Sequence, residues 1–347
     1  MKVAIVNVQC PFVRGGAEYL ADSLAYRIVG RGHAVEQIKI PFKWYPPQAI
    51  AEHMLACKLL SLKTGDPDLV IAFKFPAYLC PFRRKRLWLF HQFRQAYELW
   101  GSPYAGMPDT PETRGIRDMI HRADSESLGS VEKLYTNSKV VANRLRNGNG
   151  IEADGVLYPP LDRPELFGPG DFGDYFFYPS RIGAAKRQLL AVEAMAHVRS
   201  PFRLVIAGKP DSVNYGLQME ALIEKLGLHD RVQLLGWVTE EVKATWMRGA
   251  CGAIYIPFDE DSYGFVTLEA FHSHKPLLTF TDSGGTHELV QDGRNGLIVE
   301  PSAEALAEAM ERTWNNKQKA RDQGEAGFAT LGEHHIEWDT ILNRLLD

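Results

Sequence analysis

The 347-residue chain has few cysteines, and Cys10, Cys57, Cys80 and Cys251 lie far apart with no C-x-x-C pair. That argues against a structural zinc site or a disulfide framework and points to a reduced, cytoplasmic protein. No apolar run approaches the ~20 residues that a bilayer-spanning helix needs. The opening Met1-Lys2-Val3-Ala4-Ile5-Val6 reads as a short buried strand and not as a signal peptide. A G-x-G-x-x-G fingerprint is also missing, which weakens a dinucleotide-dependent oxidoreductase reading. Internal repeats and low-complexity tracts are absent as well.

The composition, 45% hydrophobic and 24% charged, is that of a soluble enzyme, and the length suits two domains. The net charge of −4 conceals an asymmetry. Residues 1–165 carry 22 Lys+Arg against 17 Asp+Glu, whereas the remainder carries 17 against 26. A basic first half favours an anionic partner or membrane surface, although scattered solvated charges read equally well. Its densest patch, Arg83-Arg84-Lys85-Arg86, adjoins an apolar strand, and a strand-edge cap is the favoured reading over lipid binding. Peripheral contact with the inner face of an anionic membrane is kept as an expectation. No nucleic-acid partner is expected.

Strands and helices alternate in both halves. Residues 3–8, 34–40, 68–73, 87–90 and 133–138 read as strands, with helices over 17–31 and 139–146. After a Pro/Gly-rich stretch over 158–174, read as a linker, the alternation restarts. Strands are expected over 175–179, 202–208, 232–235, 253–257 and 276–280. The helices between them fall over 186–197, 217–226, 240–248 and 264–272, and 338–346 forms an amphipathic terminal helix. Continuous apolar strands separated by helices predict doubly wound parallel sheets. Such sheets bind ligands at the carboxyl ends of their strands.

The most informative stretch runs from Asp261 to Glu269, two carboxylates eight positions apart around a Ser262-Tyr263-Gly264 loop. Phe265, Leu268 and Phe271 repeat at helical spacing, so a helix opens at Gly264. Its N-terminal amides near Gly264, Phe265 and Val266 suit a phosphate or sugar hydroxyl. Upstream, Arg181 and Lys186 lie on a strand-to-helix turn, where two cations can clamp a diphosphate or merely form a surface salt bridge. Gly15-Gly16 separates the first strand from the first helix and allows close backbone approach. His91 ends a strand and is read either as a structural hydrogen-bonder or as a group at the site. Thr286 and Glu288 either support the ligand loop or cap a helix; support is favoured. Asp259, Glu260 and Asp261 together suit a metal poorly once Asp261 is used as a hydroxyl acceptor. Tyr97, Trp100 and Tyr104 read equally as sugar-stacking or core residues.

These motifs resemble the family-4 retaining glycosyltransferases. The resemblance covers Gly15-Gly16-Ala17-Glu18, Asn137-Ser138, Ser180-Arg181 with Lys186, and Ala207-Gly208. It continues through Leu235-Gly236, the acidic loop, Gly284-Gly285 with Glu288, Asn295-Gly296 and the closing Trp338-Asp339. It implies the GT-B fold: two Rossmann-like domains facing across a cleft, with the last helix crossing back to the first. The expected divisions are 1–165 for the acceptor, 166–330 for the nucleotide sugar, and 331–347 for that helix. The resemblance implies that Arg181 and Lys186 hold the donor diphosphate, with Gly16 near it and Glu269 on the ribose. Asp261 takes the sugar hydroxyls and His91 the sugar's O6 or reacting face. The base is met by backbone near Gly208 and Gly236-Trp237. Asp261 stands where the family usually has glutamate, and Glu260 is the alternative first acid.

The implied activity is transfer of a hexose, with retention, from a UDP- or GDP-linked donor to a glycan or lipid-linked acceptor in surface polysaccharide assembly. No cofactor or metal is expected. A nucleotide-sugar epimerase or phosphorylase on the same fold is the alternative, as is a catalytically silent nucleotide-sugar-binding protein.

Overall fold

The computed structural model describes residues 1–10, 15–60, 66–260 and 262–347. They divide into two compact units, Met1–Pro160 with Ile336–Asp347, and Leu161–His335.

In the first unit the chain runs β1 (Lys2–Gln9), α1 (Gly16–Gly30), β2 (Ala34–Pro41), α2 (Gln48–Leu59), β3 (Leu69–Lys74) and β4 (Lys85–His91). It continues with α3 (Pro111–Leu128), β5 (Lys133–Thr136), α4 (Lys139–Asn149) and the two-residue β6 (Gly155–Val156). The strands form one six-stranded sheet in the order β2-β1-β3-β4-β5-β6, every pair parallel. β1 and β3 are buried almost end to end, as a parallel sheet covered on both faces requires. Ser138 caps α4 by accepting from the Val141 amide, and Gly150, at φ 67°, closes it.

The second unit runs β7 (Tyr175–Pro179), α5 (Gln188–Met195), β8 (Arg203–Ala207), α6 (Val213–Lys225), β9 (Val232–Gly236) and α7 (Glu240–Gly249). Then come β10 (Gly252–Ile254), α8 (Phe265–His272), β11 (Leu277–Phe280), β12 (Gly296–Val299), α9 (Ala303–Asn315) and α10 (Lys317–Glu333). Its parallel sheet has the order β12-β11-β10-β7-β8-β9. The chain thus builds outward from β7 to one side, then returns to build on the other. The gap beyond the ends of β7 and β10 is the topological switch point where such sheets open a crevice.

The last helix, α11 (Trp338–Leu346), belongs to the first unit. It buries Trp338, Ile341, Leu342 and Leu345, each contributing about 1.5–3 kcal/mol relative to an exposed side chain. Trp338 meets Trp88 edge-on at 6.3 Å, and Asp339 pairs with Arg31 at 2.7 Å.

Two sequence expectations change. The stretch over 168–174 is no free linker: buried Lys275 donates to the Gly170 and Asp171 carbonyls at 3.0 and 2.9 Å and lies 3.9 Å over the Phe172 ring. The helix expected over 186–197 starts at Gln188, because Arg187 takes a left-handed conformation at φ 57° and breaks it from the 3-10 turn Ala184–Lys186.

Candidate functional site

The carboxyl ends of β7, β8, β10 and β11 collect the candidate residues of the second unit. After β7, the 3-10 turn aims Lys186 at the loop following β10. Its Nζ donates to the Tyr255 hydroxyl at 2.9 Å and pairs with the Glu260 carboxylate. The Tyr255 hydroxyl donates to the same Glu260 oxygen at 2.8 Å. Arg181, earlier in the turn, is largely exposed and lies 3.2 Å from Asp211. Burial raises the Asp211 carboxyl above its usual range, with Arg181 and Lys186 both pulling against that shift. Two cations thus share one neighbourhood, each already facing a carboxylate.

α8 begins at Gly264 without a side-chain cap. Gly264 has φ 70°, and a Cβ there would lie 2.3 Å from the Tyr255 ring. Only glycine fits, and an N-cap without a side chain gives the first-turn amides of Phe265 and Val266 no partner of its own. One turn on, Glu269 is buried, and its Oε1 accepts from Lys243 of α7 at 2.6 Å. Its Oε2 is also buried and has no partner among the described residues. Burial pushes the Glu269 carboxyl up. Burial opposes the charge on Lys243, yet Glu269 and Glu240 outweigh it and hold that ammonium above its ordinary value. A buried carboxylate oxygen left open suits a hydroxyl donor.

Glycines explain how these loops close together. A Cβ on Gly208 would come within 1.9 Å of the Ser180 carbonyl, so the ends of β7 and β8 touch backbone to backbone. A Cβ on Gly285 would meet Ser262, and the Gly285 amide donates to Glu260 O at 2.9 Å. Thr286 is fully buried and bonded to Thr279, consistent with support of this turn. Trp237, just past β9, is exposed. Asp261 lies outside the described residues.

Residues 169–330 match the family model described as "Glycosyl transferases group 1". The fold is GT-B, as in the solved structures to which the chain is similar. Sucrose-phosphate synthase from Thermosynechococcus elongatus superimposes with a TM-score of 0.79 at 18% identity, covering 98% of this chain and 96% of that one. Anabaena HepE in complex with UDP-glucose gives 0.73 at 16%, covering 99% and 98%. Among curated relatives, the exopolysaccharide phosphotransferase of Streptomyces coelicolor is 31% identical over 202 residues, 56% of this chain and 21% of that protein. The chain spans between 21% and 53% of the length of the first curated relatives it matches.

Within this segment, sequence reasoning missed Tyr255, Lys243 and Arg187. Tyr255 sits in an apolar run that reads as core. Lys243 precedes its partner by 26 residues. Arg187 carries no sequence signal for its positive φ.

In the first unit, His91 ends β4, half-buried, with Nδ1 2.6 Å from the Gln92 carbonyl. Gly15 is the N-cap of α1 and Gly16 its first residue. The Gly15 amide donates to Glu18 at 2.8 Å, and Glu18 also pairs with Lys74 at 2.6 Å. Tyr97 stacks on His121 at 4.1 Å and donates to buried Asp124, which makes it a packing residue. Arg117 lies 5.0 Å over Trp100, and the Tyr104 amide donates to Ser102. In the basic patch, Arg84 and Arg86 both bind Glu132, and buried Lys85 donates to the Tyr78 and Cys80 carbonyls. These three charges serve the fold. No helix among the described residues is long and apolar enough to cross a membrane, and no group of three or more described His, Cys, Asp or Glu residues is placed to hold a metal ion.

Proposed function

We propose that the second unit binds a nucleoside diphosphate sugar and that the chain transfers its hexose, with retention, to a hydroxyl of a glycan or lipid-linked acceptor. The observation that carries this reading is the convergence of Lys186 and the glycine-capped start of α8 at the switch point of a GT-B sheet. Lys186 and Arg181 meet the diphosphate charge, with Lys186 exchanging Glu260 for phosphate. The open Oε2 of Glu269 accepts a ribose hydroxyl, and the acid at 260 or 261 accepts from the sugar. Backbone near Gly208 and Trp237 meets the base.

In the reaction the bond from the anomeric carbon to the phosphate oxygen breaks. The acceptor oxygen bonds to that carbon on the same face, and its proton passes to the departing phosphate. Electrostatic stabilisation of that leaving charge by the two cations is worth about 10²–10³-fold each. The first unit is read as the acceptor-binding unit. UDP-sugars are the first donors to test, since the structurally similar Anabaena HepE was solved with UDP-glucose. Surface polysaccharide assembly is the proposed setting.

Thermal unfolding with UDP-, GDP- and ADP-hexoses, each beside its free nucleotide and with and without chelator, tests this. A ligand at ~100 times its dissociation constant adds about 2.7 kcal/mol. A shift with one nucleotide series, unchanged by chelator, is expected; no shift in folded protein removes the donor site. Product from donor alone would select an epimerase instead, and a requirement for orthophosphate a phosphorylase.

A further inference from the structure

Arg187 follows the candidate diphosphate lysine directly, yet its side chain turns inward. It is only 10% exposed, and its guanidinium forks onto Asp282 with Nη1 and Nη2 at 2.8 and 2.6 Å. The same group donates from Nε to the Ile256 carbonyl at 2.8 Å and from Nη2 to the Pro257 carbonyl at 2.7 Å. It also lies 5.0 Å over the Phe280 ring. One side chain therefore ties together three loops: its own after β7, the acidic loop after β10, and the glycine turn after β11.

The backbone beneath it runs the same way. The Phe258 amide donates to Ala185 O at 2.8 Å, and the Asp259 amide to Asp282 O at 2.9 Å. Arg187 holds its left-handed conformation without being glycine. A strained backbone of this kind persists only where surrounding contacts over-determine it. A planar fork reaching carboxylate and carbonyls together is a task for arginine and not lysine.

We infer that Arg187, braced by Asp282, is a positioning residue for the donor site: it sets the height of the acidic loop against Lys186, so that cation and carboxylates meet the diphosphate sugar in one register. This rests on the donor-site reading above. Arg187 touches no ligand itself; it acts through Lys186 and the loop carrying Glu260.

The test is isothermal titration of the full-length protein with UDP, GDP and ADP, and with the hexose donor of whichever base binds, alongside thermal unfolding. Arg187→Gly removes the fork while glycine accepts φ 57° freely; losing a buried guanidinium lowers the melting temperature, so affinity is read on the folded fraction well below that midpoint. The expected result is a dissociation constant for the diphosphate raised at least tenfold. Asp282→Asn, which keeps one acceptor, shifts affinity the same way by less. The double variant binds no more weakly than Arg187→Gly alone, since both changes release one brace. A purely structural Arg187 gives a lower melting temperature with unchanged affinity in the folded fraction, and that outcome overturns the inference. Wild-type-like affinity in both single variants overturns it too. If the wild type binds none of UDP, GDP and ADP, the donor-site reading itself falls.

Discussion

Arg181 and Arg187 stand six positions apart and do opposite work. Arg187 is spent on internal carbonyls, whereas Arg181 has a side chain 64% exposed and one surface pairing with Asp211. An exposed pair of this kind contributes little to stability. Arg181→Ala is therefore expected to leave thermal unfolding unchanged and to lower transfer by about 10²–10³-fold. Full transfer by the folded variant, in a steady-state assay, would remove the clamp assignment. Glu269 differs again. Its carboxylate is both candidate ligand and sole buried counter-charge of α8 to Lys243, so a substitution there mixes stability with binding.

At the scale of the element, α8 is defined by its start. Apolar spacing predicts the helix over 264–272, and the structure places it at Phe265–His272. What spacing does not reveal is why Gly264 cannot be replaced. Its φ of 70° and the Tyr255 ring both oppose a side chain. Gly264→Ala is expected to cost about 1–3 kcal/mol for strain alone, read as a lowered urea midpoint, and to weaken nucleotide binding as the first turn shifts. An alanine variant with wild-type midpoint and affinity would show that the loop after β10 yields readily.

At the scale of the whole molecule, each unit carries its own sheet and its own buried polar centre. In the first unit Asp124 is fully buried, accepting from Tyr78 at 2.9 Å and Tyr97 at 2.8 Å. Around it lie His121, stacked on Tyr97, Asn149, which donates to the Tyr97 hydroxyl, and Lys85, on the Tyr78 carbonyl. Burial lifts the Asp124 carboxyl from 3.8 to about 7, against the pull of the two hydroxyls. The folded state therefore holds a proton that the unfolded state releases between those values. Stability from this group is greatest at acidic pH and falls as pH rises from about 4 to 7, by about 4 kcal/mol. Urea unfolding of wild type and Asp124→Asn across pH 4.5–8 isolates the effect. The difference between them should change up to pH 7 and then level off; a constant difference would mean that Asp124 is ionised throughout.

Local pattern alone determined much of this protein. The alternation of elements, the central strand Tyr175–Pro179, the terminal helix Trp338–Leu346 and the order of the motifs follow from periodicity, which depends on residues a few positions apart. Only tertiary structure decided the rest. Lys186 meets Glu260 across 74 residues and Arg187 meets Asp282 across 95. Whether Tyr97 stacks on a ligand or on His121, and whether residues 168–174 link or pack, depended on what folding brought alongside. A charge or an aromatic ring carries no mark of its eventual partner, because pairing over that separation is set by the sheet order and not by neighbours in the chain.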